Sequence, residues 1–121
     1  MKRMARLRDR DRFAQVRQEG RCWTDTLLVM CLLPNELPYS RFGFSVSKRV
    51  GKAVVRNRVR RRMREVVRLR LGQIASGFDV VFIARQPAAH ATYAEIERAC
   101  ERTLRRAQLL AHPSPSQTLA E

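Results

Sequence analysis

Read from the N-terminus, the apolar positions switch between helical and strand periods, and each switch marks an element. Phe13 and Val16 share one side of a short helix predicted over Arg12–Glu19, capped by Asp11 and ended by Gly20. Trp23–Leu33 is apolar and β-branched between Gly20 and Pro34, which predicts one strand. Pro34-Asn35-Glu36-Leu37-Pro38 reads as a loop. Arg41–Lys48 alternates, with Phe42, Phe44 and Val46 on one face and Gly43, Ser45 and Ser47 on the other. That is a second strand, and the short link predicts an antiparallel hairpin with the first. Phe42 and Phe44 are expected in the core, because they share a face with Val46.

Gly51 interrupts the alternation, and a long helix is predicted from Lys52 to Leu71, stopping at Gly72. Phe78–Ala84 (FDVVFIA) reads as a buried strand. Thr92 and Glu95 form a T-x-x-E capping box. The helix behind it carries Ile96, Ala99, Cys100, Thr103, Leu104, Ala107 and Ala111 as a core-facing stripe. From His112 the chain (HPSPSQTLAE) is polar and is predicted to be a disordered tail. The order α-β-β-α-β-α predicts an α+β fold: a single-domain sandwich over residues 1–111, with helices packed on a small sheet. A length of 121 residues with 45% hydrophobic content suits one such domain.

Charge changes the picture. The chain has 25 Lys and Arg against 11 Asp and Glu, a net +14, so a polyanionic partner is expected. Lys48–Arg70 alone holds eleven basic residues and one acid, Glu65. At about 100° per residue, Val55, Val59, Met63 and Val66 form a core seam on the long helix. Asn57, Arg60, Arg61, Arg64 and Arg68 cluster on a different side, and Arg58 and Arg62 lie on the opposite flank of the seam. Arg56, Arg60, Arg64 and Arg68 stand at i, i+4 spacing, where like charges repel by a few tenths of a kcal/mol per pair. A merely solvated face would mix signs, so this face reads as a phosphate-binding one.

Other classes fall away. The longest apolar run, Leu27–Leu33, is seven residues, too short to span a membrane. The Arg helix lacks the broad face of large apolar residues that a membrane-surface helix needs. The N-terminus has no apolar segment of a secretory signal, and Asp9 and Asp11 speak against a transit peptide. Cys22, Cys31 and Cys100 fit neither a disulfide framework nor a zinc site and are expected as reduced, mostly buried thiols of a cytoplasmic protein. No catalytic apparatus is visible. His90 falls in a loop and His112 in the tail, while Asp25, Glu36, Glu65 and Asp79 sit on separate elements, where surface or capping roles are expected.

The block Arg41-Phe-Gly-Phe-Ser-Val-Ser-Lys-Arg-Val-Gly-Lys-Ala-Val-Val-Arg-Asn-Arg-Val-Arg-Arg61 resembles the protein component of bacterial ribonuclease P. It carries S-V-S-K (Ser45–Lys48), then Gly51, then R-N-R (Arg56-Asn57-Arg58) opening a helix. Arg8-x-x-Asp11-Arg12-Phe13-x-x-Val16 and Phe78-Asp-Val-Val-Phe-Ile-Ala-Arg85 are also family-like. The resemblance covers roughly residues 6 to 110. It implies the small subunit of a ribonucleoprotein endonuclease in which a large RNA removes the 5′ leader of precursor tRNA. It also implies a left-handed β-α-β crossover, where general statistics favour the right hand.

Carried onto this chain, Arg56, Asn57, Arg58, Arg60, Arg61, Arg64 and Arg68 would face RNA. Ser47, Lys48 and Lys52 would add phosphate contacts near the helix entrance. A cleft between the first helix and the sheet would hold the leader, with Phe13 in its lining. Two positions depart from the family: Arg17 and Met30 stand where aromatics are frequent, so the cleft is expected to be more electrostatic. Mg²⁺ would be held mainly by the RNA, with none bound tightly by the protein alone. The implied partners are ribonuclease P RNA and precursor tRNA, with no membrane and no obligate protein partner. A general RNA-binding accessory protein remains the alternative.

Overall fold

Asp9, not Asp11, starts the first helix. Its backbone is extended and its carboxylate accepts from the amides of Asp11 (2.9 Å) and Arg12 (3.3 Å). Asp11 instead falls in the first turn, where a negative charge meets the positive end of the helix dipole. In this computed structural model, which describes residues 3–111, the helix α1 therefore spans Arg10–Glu19. It stops at Gly20, where a Cβ would come within 2.4 Å of both Leu32 O and Val16 O. The close approach of the following sheet thus requires glycine there. The expected tail from His112 lies outside the described residues.

The strand predicted over Trp23–Leu33 is two strands. β2 (Arg21–Thr24) and β3 (Leu28–Pro34) pair antiparallel about a turn at Asp25-Thr26-Leu27. Asp25 N–H donates to Leu28 O (2.8 Å), and the Asp25 carboxylate accepts from Leu27 N–H (3.4 Å). This hairpin sets Cys22 directly opposite Cys31, and the two form a disulfide. The expectation of three reduced thiols is corrected for this pair: a nine-residue separation closed by a hairpin brings the sulfurs together. Cys100 remains a buried free thiol, and burial pushes its pKa up to about 12.

A two-residue strand, Ala5–Arg6, precedes α1 and is β1; β4 covers Arg41–Ser45 and β5 covers Phe78–Ala84. The sheet order is β1-β4-β5-β3-β2. The predicted β3–β4 hairpin does not form, because β5 lies between those strands, antiparallel to β3 and parallel to β4. The link Asn35–Ser40 is long enough to step over one strand, whereas tight hairpins use two to five residues. It is pinned on the way by Asn35 N–H to Gly77 O (2.9 Å) and the Asn35 amide to Tyr39 O (3.1 Å). β4 and β5 are joined through α2 (Ala53–Arg68), the helix of a parallel β-α-β unit. That helix ends a turn before the predicted Leu71, and Leu71–Gln73 continues as a 3-10 turn. A second 3-10 turn, Gln86–His90, leads to α3 (Tyr93–Arg106), whose Thr92–Glu95 capping box is present. Ala111 lies past α3 and is exposed; Leu109 and Leu110 close that end of the core instead.

The sheet buries both faces. Met30, Phe42, Val80 and Phe82 meet Val59, Met63 and Val66 of α2 and Ile96 and Leu104 of α3 in the larger core. Phe44 stacks on Phe82 with ring centroids 5.7 Å apart. Leu7, Cys31 and Val81 meet Val16 of α1 in a smaller core on the other face. The two cores account for the seam on α2, the stripe on α3 and the core placement of Phe42 and Phe44.

Candidate nucleic-acid interface

The helix α2 buries Val59, Met63, Val66 and Val67 and leaves its arginines outside. Asn57, Arg61 and Arg68 are exposed; Arg56, Arg60 and Arg64 are half-buried. Among the described residues, the arginines of this helix make one ion pair, Arg68 with Glu65. That pair is exposed and bidentate, at 2.9 and 2.7 Å, and the hydrogen bonds hold the Glu65 carboxyl below its usual range. Arg60 donates to the Asn57 side chain (2.9 Å), which fixes both on the face the helical spacing assigns them. Nε of Arg64 is sealed from solvent and has no hydrogen-bond partner.

Arg58 is placed differently from the other predicted contacts. It donates to Ala89 O (3.1 Å), and Arg62 donates to Ala91 O (2.9 Å). Both brace α2 against the turn Gln86–His90 from the flank opposite the arginine face. Ser47, Lys48 and Arg49 form an exposed turn ahead of α2, closed by Val50 N–H to Ser47 O (3.0 Å) and anchored by buried Val46 and Val50. Lys52 is the N-cap residue of α2, and its ammonium, a donor only, cannot cap the helix amides.

On the opposite sheet face α1 covers only part of the surface. A Cβ on Gly43 would meet the Phe13 ring at 2.8 Å, so glycine at that point lets the ring lie flat on β4. Beyond α1 the row Ser45–Ile83–Val29–Thr24 crosses four strands in register. Ser45, Ile83 and Val29 in this row are half-exposed, as is Phe13, and Arg17 is fully outside. The result is a partly apolar strip with a guanidinium at its rim. Met30 does not belong to it: the side chain is fully buried in the larger core, on the sheet face away from α1. Neighbouring side chains of a strand point to opposite faces, so Val29, not Met30, reaches this strip. Val29, Ile83 and Ser45 were missed; the alternation within FDVVFIA and LVMCLL was the signal that could have found them.

The wall of the strip is held by a buried charge. Asp79, expected at the surface, is fully buried on β5. It accepts from Arg12 Nε (2.7 Å), from Arg41 Nε (2.8 Å) and Nη2 (2.7 Å), and from the Asn35 amide (3.0 Å). Burial alone would raise its pKa, but the bonds from Arg41, Asn35 and Arg12 together outweigh it and hold the group at about 2. Arg12 also reaches Pro34 O (3.0 Å), so this cluster pins the start of α1 to the sheet. The other predicted acids do not converge. Asp25 is bound bidentately by Arg102 (2.9 and 3.0 Å), and Glu36 is an exposed loop residue. His90 is exposed in a 3-10 turn. Among the described residues no three His, Cys, Asp or Glu side chains cluster as metal ligands.

The sequence and the fold have relatives among known proteins. A family model described as ribonuclease P matches residues 1–108. The chain belongs to the ribonuclease P protein family. The ribonuclease P protein component of Roseiflexus castenholzii is 49% identical over 108 residues, covering 88% of each chain. The solved structure of the Staphylococcus aureus RNase P protein superposes with a TM-score of 0.82 at 30% identity, covering 89% of this chain and 99% of that one. The Thermotoga maritima RNase P protein gives 0.77 at 31% identity, covering 84% and 96%. This is therefore a subunit of the endoribonuclease that matures the 5′ end of tRNA, and its partner is ribonuclease P RNA. No helix among the described residues is long and apolar enough to cross a membrane.

Proposed function

We propose that this subunit contributes binding and electrostatics while ribonuclease P RNA performs the cleavage. The observation that carries the reading is the α2 face: Asn57, Arg60, Arg61 and Arg64 share one surface with no carboxylate paired to its arginines. Unpaired guanidiniums held by a rigid helix suit phosphates, which they grip bidentately. Arg56 and Arg68 extend that surface, and Ser47, Lys48 and Lys52 lengthen it beyond the start of α2. Arg58 acts through its hold on the Ala89 carbonyl.

The strip beside α1 takes the single-stranded 5′ leader of precursor tRNA. Its width across four strands and its half-exposed Phe13, Val29 and Ile83 offer a surface for bases. Arg17 at the rim supplies charge where an aromatic would supply only stacking. Stacking contributes about 1–3 kcal/mol per base, so a strip with one aromatic side chain leans on charge for affinity. The acids support a non-catalytic protein. Asp79 and Asp25 are each occupied by arginine, and Glu65 by Arg68, so none is free to serve as general base or to hold Mg²⁺. The RNA holds the Mg²⁺ in this reading.

The test is cleavage of a precursor tRNA at low Mg²⁺ with protein alone, ribonuclease P RNA alone, and both. Activity in the mixture far above either component is expected. Cleavage by the protein alone would overturn the assignment of catalysis, and RNA binding without any gain in cleavage would favour a general RNA-binding role.

A further inference from the structure

One hollow lies outside both surfaces just described. It sits at the β1 edge of the sheet, has a volume of about 420 Å³, and is lined by Arg3, Tyr39, Ser40, Phe42, Leu71 and Ile74 among others. Its floor is apolar. Tyr39 is 47% exposed, an aromatic ring left partly in water at the mouth. Nothing in the core requires an aromatic side chain there, since Asn35 holds only the Tyr39 backbone carbonyl.

The hollow lies just past the C-terminal end of α2, with Leu71 in its wall and Arg3 in its lining. Arg6 pairs in register with Phe42, in its floor, and points to the same sheet face as α2. Arg6 is an exposed residue whose proton is held less firmly than usual, first through burial of its guanidinium and then through the nearby charges of Arg64 and Arg8. Among the described residues neither Arg3 nor Arg6 has an acidic partner. Arg3 in the lining and Arg6 beside the floor, without a counter-charge and next to an apolar hollow with an aromatic lip, match one nucleotide: a planar base and an anionic phosphate.

We infer that this hollow receives a single unpaired nucleotide of ribonuclease P RNA, its base against Tyr39 and its phosphate at Arg3 and Arg6. The inference rests on the reading of α2 as the RNA-docking face and adds a base-binding end to it. An RNA that met only α2 would be gripped by phosphates alone, in any register. A nucleotide seated at Tyr39 fixes the register.

The experiment titrates the full chain into labelled ribonuclease P RNA at several salt concentrations. Tyr39→Ala is expected to weaken assembly roughly 5- to 100-fold with the salt dependence unchanged, as for a lost stacking contact. Tyr39→Phe is expected to bind within about twofold of the parent. Arg6→Ala is expected to lower the salt slope by about 0.7, the share of one single-strand phosphate. A photo-crosslinking benzophenone side chain at position 39 is expected to mark one or two unpaired nucleotides. The doubly substituted Arg60→Ala, Arg61→Ala chain separates the two levels. If it lowers the salt slope while Tyr39→Ala binds like the parent, the hollow is not a nucleotide site and the docking face stands. If it too leaves the slope unchanged, the docking reading falls and the inference with it. Crosslinks confined to duplex RNA would also overturn the inference.

Discussion

Arginine appears in two opposite settings in this small protein. Around Asp79, two guanidiniums and an amide converge on one buried carboxylate, and every acidic oxygen is bonded. Along α2, seven guanidiniums share a helix with a single exposed glutamate, and one of them has a sealed nitrogen with nothing to bond. The first arrangement is complete without a partner and belongs to the fold. On its outer face the second leaves Arg61 and Arg64 without a carboxylate, and in the proposed reading an outside polyanion completes it. The same residue type thus separates architecture from function according to whether its charge is already answered.

Removing the carboxylate should break the first setting most severely. Asp79→Ala strands Arg12 and Arg41 against the sheet and frees the start of α1, with an expected loss of about 3–5 kcal/mol in urea unfolding. A loss under 1 kcal/mol would show that the cluster only decorates the fold. On the other side, Arg60→Ala, Arg61→Ala and Arg64→Ala together should leave thermal unfolding unchanged or slightly improved, since like charges are removed. The same triple change should lower the salt slope of RNA binding by about 2–3. An unchanged slope with reduced melting temperature would reverse the comparison.

Acid titration sharpens it further. The pKa of Asp79 in the folded protein is about 2, below its ordinary 3.8. A depressed carboxylate stabilises the fold fully above the unfolded pKa and loses that contribution as pH falls through the folded value. Roughly 2 kcal/mol should therefore disappear between about pH 4 and pH 2, and Asp79→Asn should remove that part of the pH dependence. The smallest effect is expected for Arg62→Ala, which surrenders one hydrogen bond to Ala91 O. A stability loss of about 1 kcal/mol with an unchanged salt slope would confirm Arg62 as a brace.

The helical parts were legible for a physical reason. The period of α2 depends on neighbours three and four residues away, so its seam and its arginine face could be read locally, and both stand as expected. The capping box of α3 is likewise local. The sheet was less legible because its pairings are not. The turn at Asp25 hid inside an unbroken apolar run, and with it the disulfide between Cys22 and Cys31. β1 is two residues long and has no pattern to read. Asp79 meets Arg12 from 67 residues away and Arg41 from 38, a distance at which no spacing rule operates. Met30 is hidden from the strip by strand parity: Cys31 and Val29 face the smaller core, and Met30 between them faces the larger one, which a strand read as unbroken from Trp23 to Leu33 does not reveal.

The sheet's outer strands carry a further consequence, for crowding. β1 offers two residues of ladder and β2 four, and β2 is tied to its only neighbour by a covalent bond. Arg6 on one edge and Arg21 on the other place a positive charge at each rim. A second copy seeking to extend the sheet meets a short, charged edge on either side, while the three inner strands are hidden. A chain with this much apolar strand sequence can therefore be made in quantity and wait for its RNA without stacking edge to edge into fibres.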